Sequence, residues 1–401
     1  MGRWTVSLAC WLLLLVLWGY SVQADSSWTV AKNSVNKNNN NNNNNIPQQW
    51  TVQELPKRQF QASRHLRLST SGDEGASEAW HEMELGPDQV LVKVEAFAID
   101  AFLRTLLEPD SFHWSLQVGE PMRASGYGTV LKAGSNQAYK VGSRVIGMLP
   151  VANVAVVDKS PFLRNMRSIP GIRPSLYLGL LGTSGLSAYV GIFLASPQPP
   201  RKGETVVISA AAGGVGTCAA QMARLTGARV VGIAGGAHKV DFLLNELGLD
   251  AAIDYKHPTK SLDEQLEEAC PDGVDFFLDN VGGETLDVLL NRINQGARVV
   301  ICGAISRYDT GSMYSKPQGP RNYLKLAERS ATMSGFVVSH YLGSFKNMLA
   351  AISYILWHYT RGNLKSFEHV EKGIECFGPS LEKLLNGKHM GRLLVDVTGD
   401  L

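Results

Sequence analysis

Hydrophobic and polar positions follow two different rhythms along this 401-residue chain. From residue 50 to 188 the apolar stretches are short, as in Val90-Leu91-Val92-Lys93-Val94, Gly128-Thr129-Val130-Leu131 and Arg144-Val145-Ile146-Gly147-Met148. Turns carrying Gly, Pro and Asp separate them, and this spacing predicts a β-rich domain. From residue 189 to 340, apolar runs of strand length alternate with amphipathic stretches of helical length, the signature of βαβ units around a parallel sheet. Strands are expected at 205–210, 229–234, 251–255, 274–279, 297–303 and 332–338, enough for a doubly wound sheet. A helix is expected at 347–359. The last apolar run, Arg392-Leu393-Leu394-Val395-Asp396-Val397, suits the first domain better than the sheet, so residues 341–401 are read as a return to it.

Composition changes this picture little. With 44% hydrophobic and 18% charged residues the chain has apolar material for two fused domains. A net charge of +2, with no basic stripe, argues against nucleic acid or an anionic membrane surface and leaves small molecules as the expected partners. At the N-terminus, Arg3, an apolar run from Val6 through Leu17 and then Ser21-Val22-Gln23-Ala24 predict a secretory signal over residues 1–24, cut after Ala24. The run falls short of the ~20 residues that cross a bilayer, so no stable membrane span is expected once it is removed. The unbroken asparagines from Asn38 to Asn45 make residues 25–49 an expected disordered spacer. The expected address is the secretory pathway or the exterior, with the cytoplasm as the alternative. The cysteines beyond the signal, Cys218, Cys270, Cys302 and Cys376, lack CxxC spacing and read as buried thiols.

The clearest chemical motif is Ala211-Ala212-Gly213-Gly214-Val215-Gly216, between an apolar strand and the helix-like Thr217 to Leu225. A pyrophosphate needs a tight turn, backbone bare of side chains at closest approach and unpaired N–H groups at a helix start. Ala211 stands where the dinucleotide fingerprint has its first glycine, and a glycine turn that merely packs helix on strand is the structural alternative. The second strand ends Ala234-Gly235-Gly236 and runs into Ala237-His238-Lys239 with no carboxylate to hold an unphosphorylated ribose. That pattern favours NADPH over NADH; a solvated lysine at a helix start is the other reading of Lys239. No set of His, Cys and carboxylates has zinc-ligand spacing, and Gly182-Thr183-Ser184-Gly185 is not a hydrolase elbow.

Four blocks in order resemble the prostaglandin reductase/leukotriene hydroxydehydrogenase family of zinc-free medium-chain dehydrogenase/reductases. They are Leu178 to Tyr189, Ser209 to Gly216, Asp279-Asn280-Val281-Gly282-Gly283 and Cys302-Gly303-Ala304-Ile305-Ser306-Arg307-Tyr308. The resemblance implies a GroES-like catalytic domain joined to a Rossmann domain, no metal, NADPH as hydride donor and a homodimer. Arg123-Ala124-Ser125 stands where zinc-dependent relatives carry Gly-His-Glu. By the same resemblance Gly213, Gly214, Val215 and Gly216 hold the pyrophosphate, while Lys239 and Tyr255 take the phosphorylated ribose. Asn280, the segment Cys302, Gly303, Ala304, Ile305, Ser306 and Tyr308, and the stretch Phe336, Val337 and Val338 line the nicotinamide. His389 stands where the family carries an asparagine that contacts the cofactor, and Asp100-Ala101-Phe102-Leu103-Arg104 replaces the family's Asp-Pro-Tyr-Met-Arg.

The implied reaction is NADPH-dependent reduction of the carbon-carbon double bond of an enal, enone or oxo-lipid, in which charge moves onto the carbonyl oxygen. Tyr308 is the candidate donor there, and a packing role against the cofactor is the alternative. Quinone reduction, NADP-dependent oxidation of a secondary alcohol and non-catalytic NADPH binding stand as rival readings.

Overall fold

The computed structural model describes residues 48–69, 84–109, 111, 114–135, 138–160, 163–309 and 319–401. The expected signal sequence, and all but the end of the expected spacer, lie outside the described residues.

Two sheets organise the chain. The first is mixed, in the strand order Glu368–Lys372, Arg392–Asp396, Gln89–Ala98, Arg123–Ala133, Arg144–Pro150 and Arg164–Asn165, with Val154–Asp158 also pairing with Gln89–Ala98. A two-stranded ribbon, Gln49–Val52 with Ser69 to Leu66, lies beside it. The long strand Gln89–Ala98 buries Val90, Val92, Val94 and Phe97 in one core, with Leu103, Leu106, Phe377, Leu381 and Val395. Arg392–Asp396 pairs antiparallel with the end of that long strand, Leu394 opposite Ala98.

The second sheet is wholly parallel, in the order Ala251–Asp254, Arg229–Ala234, Thr205–Ile208, Val274–Asp279, Ile293–Ile301 and Thr332–Gly335. The six strands expected from the sequence are all present, and their order reverses between Thr205–Ile208 and Val274–Asp279. Together the sheets form the α/β fold expected, a β-rich unit and a doubly wound unit. The four positions of Thr205–Ile208 are all buried, as a strand covered on both faces requires. Helix Gly214–Leu225 follows it and buries Cys218, Ala219, Ala220, Met222 and Ala223, small side chains that let helix and sheet approach closely. Helix Leu262–Ala269 starts at a capping box, Ser261 Oγ accepting from Glu264 N and the Glu264 carboxylate accepting from Ser261 N.

Helices outside residues 205–335 also pack on the parallel sheet. Thr183–Phe193 contributes Ala188, Val190 and Ile192 to its core, and Phe345–Thr360 contributes Met348, Ala351 and Ile355. The segment 341–401 is thus shared, its long helix lying on the parallel sheet and its last strand in the mixed sheet.

Candidate active site

The residues marked out by the sequence gather along one edge of the molecule. Loops 209–216, 234–239, 279–283, 302–308 and 336–338, with Tyr255, all follow the carboxyl ends of the parallel strands. In a doubly wound sheet that edge is open at the point where strand order reverses, and ligands bind in the crevice there.

The glycine turn is built by close approach. A Cβ on Gly216 would lie 2.3 Å from the Ala210 carbonyl oxygen and 2.6 Å from Ala211 Cα, so only glycine lets the helix start against the strand. Ala210 itself adopts φ +48°, a left-handed conformation costly for a residue with a side chain. Gly213 differs: a Cβ there would meet only the Ala210 carbonyl oxygen, at 3.2 Å, so its outer side is bare backbone. The turn is backed by the C-terminal segment, where Gly391 N donates to Ala212 O at 2.8 Å.

Around the second strand, Lys239 is buried, and its Nζ donates to the Gly387 carbonyl at 2.7 Å. Burial, and then the neighbouring Lys256, hold its ammonium below the usual lysine range. An ammonium with one carbonyl acceptor keeps hydrogens for a further acceptor, and an anion placed beside it would favour its charged form. The Tyr255 ring covers Gly235, where a Cβ would come within 2.7 Å of it. The carboxylate nearest this turn, Asp254, accepts from Gly236 N and Lys256 N and belongs to the third strand. His389 lies close enough to Lys239 to feel its charge, and burial pushes its imidazole down to about 3, so it is neutral at ordinary pH. Its Nδ1 is buried with no hydrogen-bond partner among the described residues.

On the other side of the reversal point, Asp279 is fully buried and accepts from Ser209 Oγ, Val281 N and Gly282 N. Burial raises its carboxyl above the usual range, against the pull of those hydrogen bonds. Asn280 Nδ2 donates to Ser209 O and its backbone N–H to Ser209 Oγ, tying this loop to the glycine turn. Gly282 and Gly283 both take positive φ, 68° and 57°, a succession that non-glycine residues resist. Their turn carries the next loop, Ile305 N donating to Asn280 O and Ser306 Oγ to Val281 O. Tyr308 is buried, and its hydroxyl accepts from Ala304 N at 3.2 Å beside Gly303. Burial pushes the Cys302 thiol up to about 12, which leaves no thiolate there for nucleophilic work. Phe336 N reaches Ile301 O, and the Phe336 ring packs against Gly191 and edge-on to Tyr341.

The sequence-marked loops therefore follow the carboxyl ends of the parallel strands, and Lys239, through Gly387 O, links them to the segment that carries His389. Bare backbone at Gly213, a buried lysine on a turn whose own residues carry no carboxylate and a buried imidazole with no partner for Nδ1 among the described residues fit a dinucleotide carrying an additional phosphate. Two features escaped the sequence. The Asp100 carboxylate forms a two-pronged buried ion pair with Arg392, whose Nε also donates to Leu178 O at 2.7 Å. Four residues on, the fully buried Arg104 donates from Nε to Asp309, the residue after Tyr308, at 2.9 Å. The signal for both was the charged pair closing Asp100-Ala101-Phe102-Leu103-Arg104, which names no partner. Among the described residues no group of three or more His, Cys, Asp or Glu is arranged to hold a metal ion.

Residues 214–353 match the zinc-binding dehydrogenase family, and residues 76–164 match the family described as the N-terminal domain of oxidoreductase. Prostaglandin reductase 1 of Mus musculus is 33% identical over 313 residues, 78% of this chain and 90% of that protein. The NADP(+)-dependent 2-alkenal reductase of Nicotiana tabacum is 31% identical over 315 residues, 78% of this chain and 88% of that protein. The crystal structure of CurA from Vibrio vulnificus in complex with NADPH superposes with a TM-score of 0.76 at 26% identity, covering 88% of this chain and 99% of that one.

Proposed function

Because the chain belongs to the zinc-free medium-chain dehydrogenase/reductase family that includes the prostaglandin and 2-alkenal reductases, we propose that it reduces the carbon-carbon double bond of α,β-unsaturated aldehydes and ketones with NADPH. The observation that carries this reading is that a glycine turn with exposed backbone, a buried lysine on a turn whose own residues carry no carboxylate, and the phenol of Tyr308 all follow carboxyl ends of the parallel strands. Gly213 to Gly216 would take the pyrophosphate, Lys239 the additional phosphate with Tyr255 beside the ribose, and Asn280, Cys302 to Tyr308 and Phe336 to Val338 the nicotinamide. His389, neutral and unpartnered at Nδ1, would stand as a hydrogen-bonding side chain toward the same group. When bound, NADPH supplies a hydride to the β-carbon of the substrate.

The chain's own task is to receive the charge that then gathers on the substrate carbonyl oxygen. A phenol is both a donor and an acceptor of hydrogen bonds, which suits it to an oxygen that gathers charge. The Ala304 N–H fixes the Tyr308 oxygen from one side, so the donor is oriented before reaction, which is the condition for electrostatic stabilisation. Protonation of the α-carbon by water completes the saturated product. Tyr308→Phe should lower kcat about a hundredfold, the usual cost of one lost oxyanion donor, with the Kd of NADPH unchanged. Unaltered turnover across enals, cyclic enones and 15-oxo lipids would remove Tyr308 from the reaction.

A homodimer is supported by the outer strand Thr332–Gly335, which ends the parallel sheet with Thr332 and Met333 exposed and with Tyr323 and Leu324 exposed nearby. Light scattering after size exclusion tests it, and a monomeric mass refutes it. No helix among the described residues is long and apolar enough to cross a membrane. Export through a signal over residues 1–24 rests on the apolar run and small residues before Asp25. Microscopy of the full-length protein tagged at its C-terminus tests it, cytoplasmic signal being the contrary result.

A further inference from the structure

We propose that Asp309 is the positioning residue for Tyr308, held in place from the other sheet by Arg104. This inference rests on the reading of Tyr308 as the carbonyl donor.

The Tyr308 helix, Ile305–Tyr308, is a single turn after a parallel-sheet strand, and one turn is not stable by itself. Besides its hydrogen bonds to Asn280 and Val281, it is anchored to the mixed-sheet unit. Ile305 packs against the core of the mixed-sheet unit, and the Asp309 carboxylate, next in the chain to Tyr308, turns the same way. Asp309 Oδ1 accepts from Arg104 Nε at 2.9 Å and from Phe60 N at 2.7 Å. Arg104 is fully buried in the helical turn Ala101–Leu107, with Nη2 donating to Arg58 O at 3.2 Å and Nη1 lying 2.7 Å from Glu108 Oε1. A guanidinium held on three sides cannot follow a moving loop, so it dictates where the carboxylate sits. Asp309 in turn fixes the backbone that carries Tyr308.

Burying an arginine for stability alone is a poor device, because an ion pair in a core gains little over apolar packing. Its value lies in geometry, since displacing a reacting group by about 1 Å costs on the order of a hundredfold in rate. Removing Asp309 leaves the Arg104 charge compensated by Glu108, so the buried cation is not orphaned.

The test compares Asp309→Ala, Asp309→Asn, Tyr308→Phe and the double variant Asp309→Ala/Tyr308→Phe. Each is measured as kcat per NADPH-binding site, with the Kd of NADPH from fluorescence titration and the Tm recorded alongside. Asp309→Ala should lower kcat about ten- to a hundredfold without changing the Kd of NADPH. Asp309→Asn, whose Oδ1 accepts the same two hydrogen bonds, should recover most of the rate. The double variant should turn over no more slowly than Tyr308→Phe alone, because the aspartate acts only through the phenol. Additive losses, a parallel weakening of NADPH, or a lowered Tm with kcat per site intact would overturn the positioning role. If Tyr308→Phe is itself without effect, the reading of Tyr308 fails, and that outcome is distinct from an effective Tyr308→Phe beside a silent Asp309→Ala.

Discussion

Replacing Lys239 by methionine isolates the choice of cofactor. The Lys239 ammonium is buried and has a carbonyl partner, Gly387 O at 2.7 Å, so the side chain is held in place before any ligand arrives. Two unit charges about 4 Å apart attract by about 4 kcal/mol at an effective dielectric of 20, and desolvation takes back part of it. Hydrogen bonds to charged groups leave a net of about 1.5–3 kcal/mol. At about 1.4 kcal/mol per decade this corresponds to about a ten- to hundredfold rise in the Kd of NADPH. NADH lacks the additional phosphate and should bind the variant as it binds the parent. Fluorescence titration of both cofactors against both proteins gives the four constants required. The pH dependence carries an independent sign. Because burial lowers the Lys239 pKa in the free protein, a bound phosphate draws that pKa back up and binding takes up a proton. The affinity for NADPH should therefore weaken as pH rises through the depressed lysine pKa, and the affinity for NADH should stay flat over the same range. Equal losses for the two cofactors in Lys239→Met, or an NADPH affinity indifferent to the substitution, would refute the assignment.

The two ends of the glycine turn should respond differently to one methyl group. Gly216→Ala drives a Cβ into the Ala210 carbonyl and should destabilise the fold by about 1–3 kcal/mol, seen as a lowered Tm. Gly213→Ala meets little protein and should keep its Tm while losing NADPH affinity. His389→Asn should flatten the acid limb of stability. The wild-type imidazole is held down to about 3 against an ordinary 6.5, so the folded state loses stability as pH falls from 6.5 toward 3, and the variant should lose less over that window. Thermal melts across that range check it, and parallel curves would contradict it. Asp100→Ala strips the partner from buried Arg392, which backs the glycine turn, and should cost about 3–5 kcal/mol in chemical denaturation; a cost below 1 kcal/mol would mean the pair is dispensable.

Much of this architecture was legible because burial repeats locally. A run such as Val206-Val207-Ile208 announces a strand covered on both faces, and Gly213 to Gly216 between strand and helix announces a tight strand-to-helix turn. Boundaries were harder. The fifth parallel strand begins at Ile293, through polar Asn294 and Gln295, because Ile293 pairs with Val274 across a register shift, and a bulge of that kind has no apolar period. The sequence also contained the two long-range ion pairs without revealing them. Arg104 meets Asp309 and Asp100 meets Arg392 over separations of 205 and 292 residues, and a single chain carries no sign of which distant charge answers which. Helix Phe345–Thr360 has an apolar face that periodicity detects, but periodicity does not say which of two sheets it covers.

Product analysis tests the central claim most directly. Incubated with NADPH and an enone, the purified protein should consume one equivalent of NADPH for each molecule of saturated ketone formed, with the carbonyl retained. An allylic alcohol as product, or NADPH bound but never consumed across enals, enones and 15-oxo lipids, would contradict it.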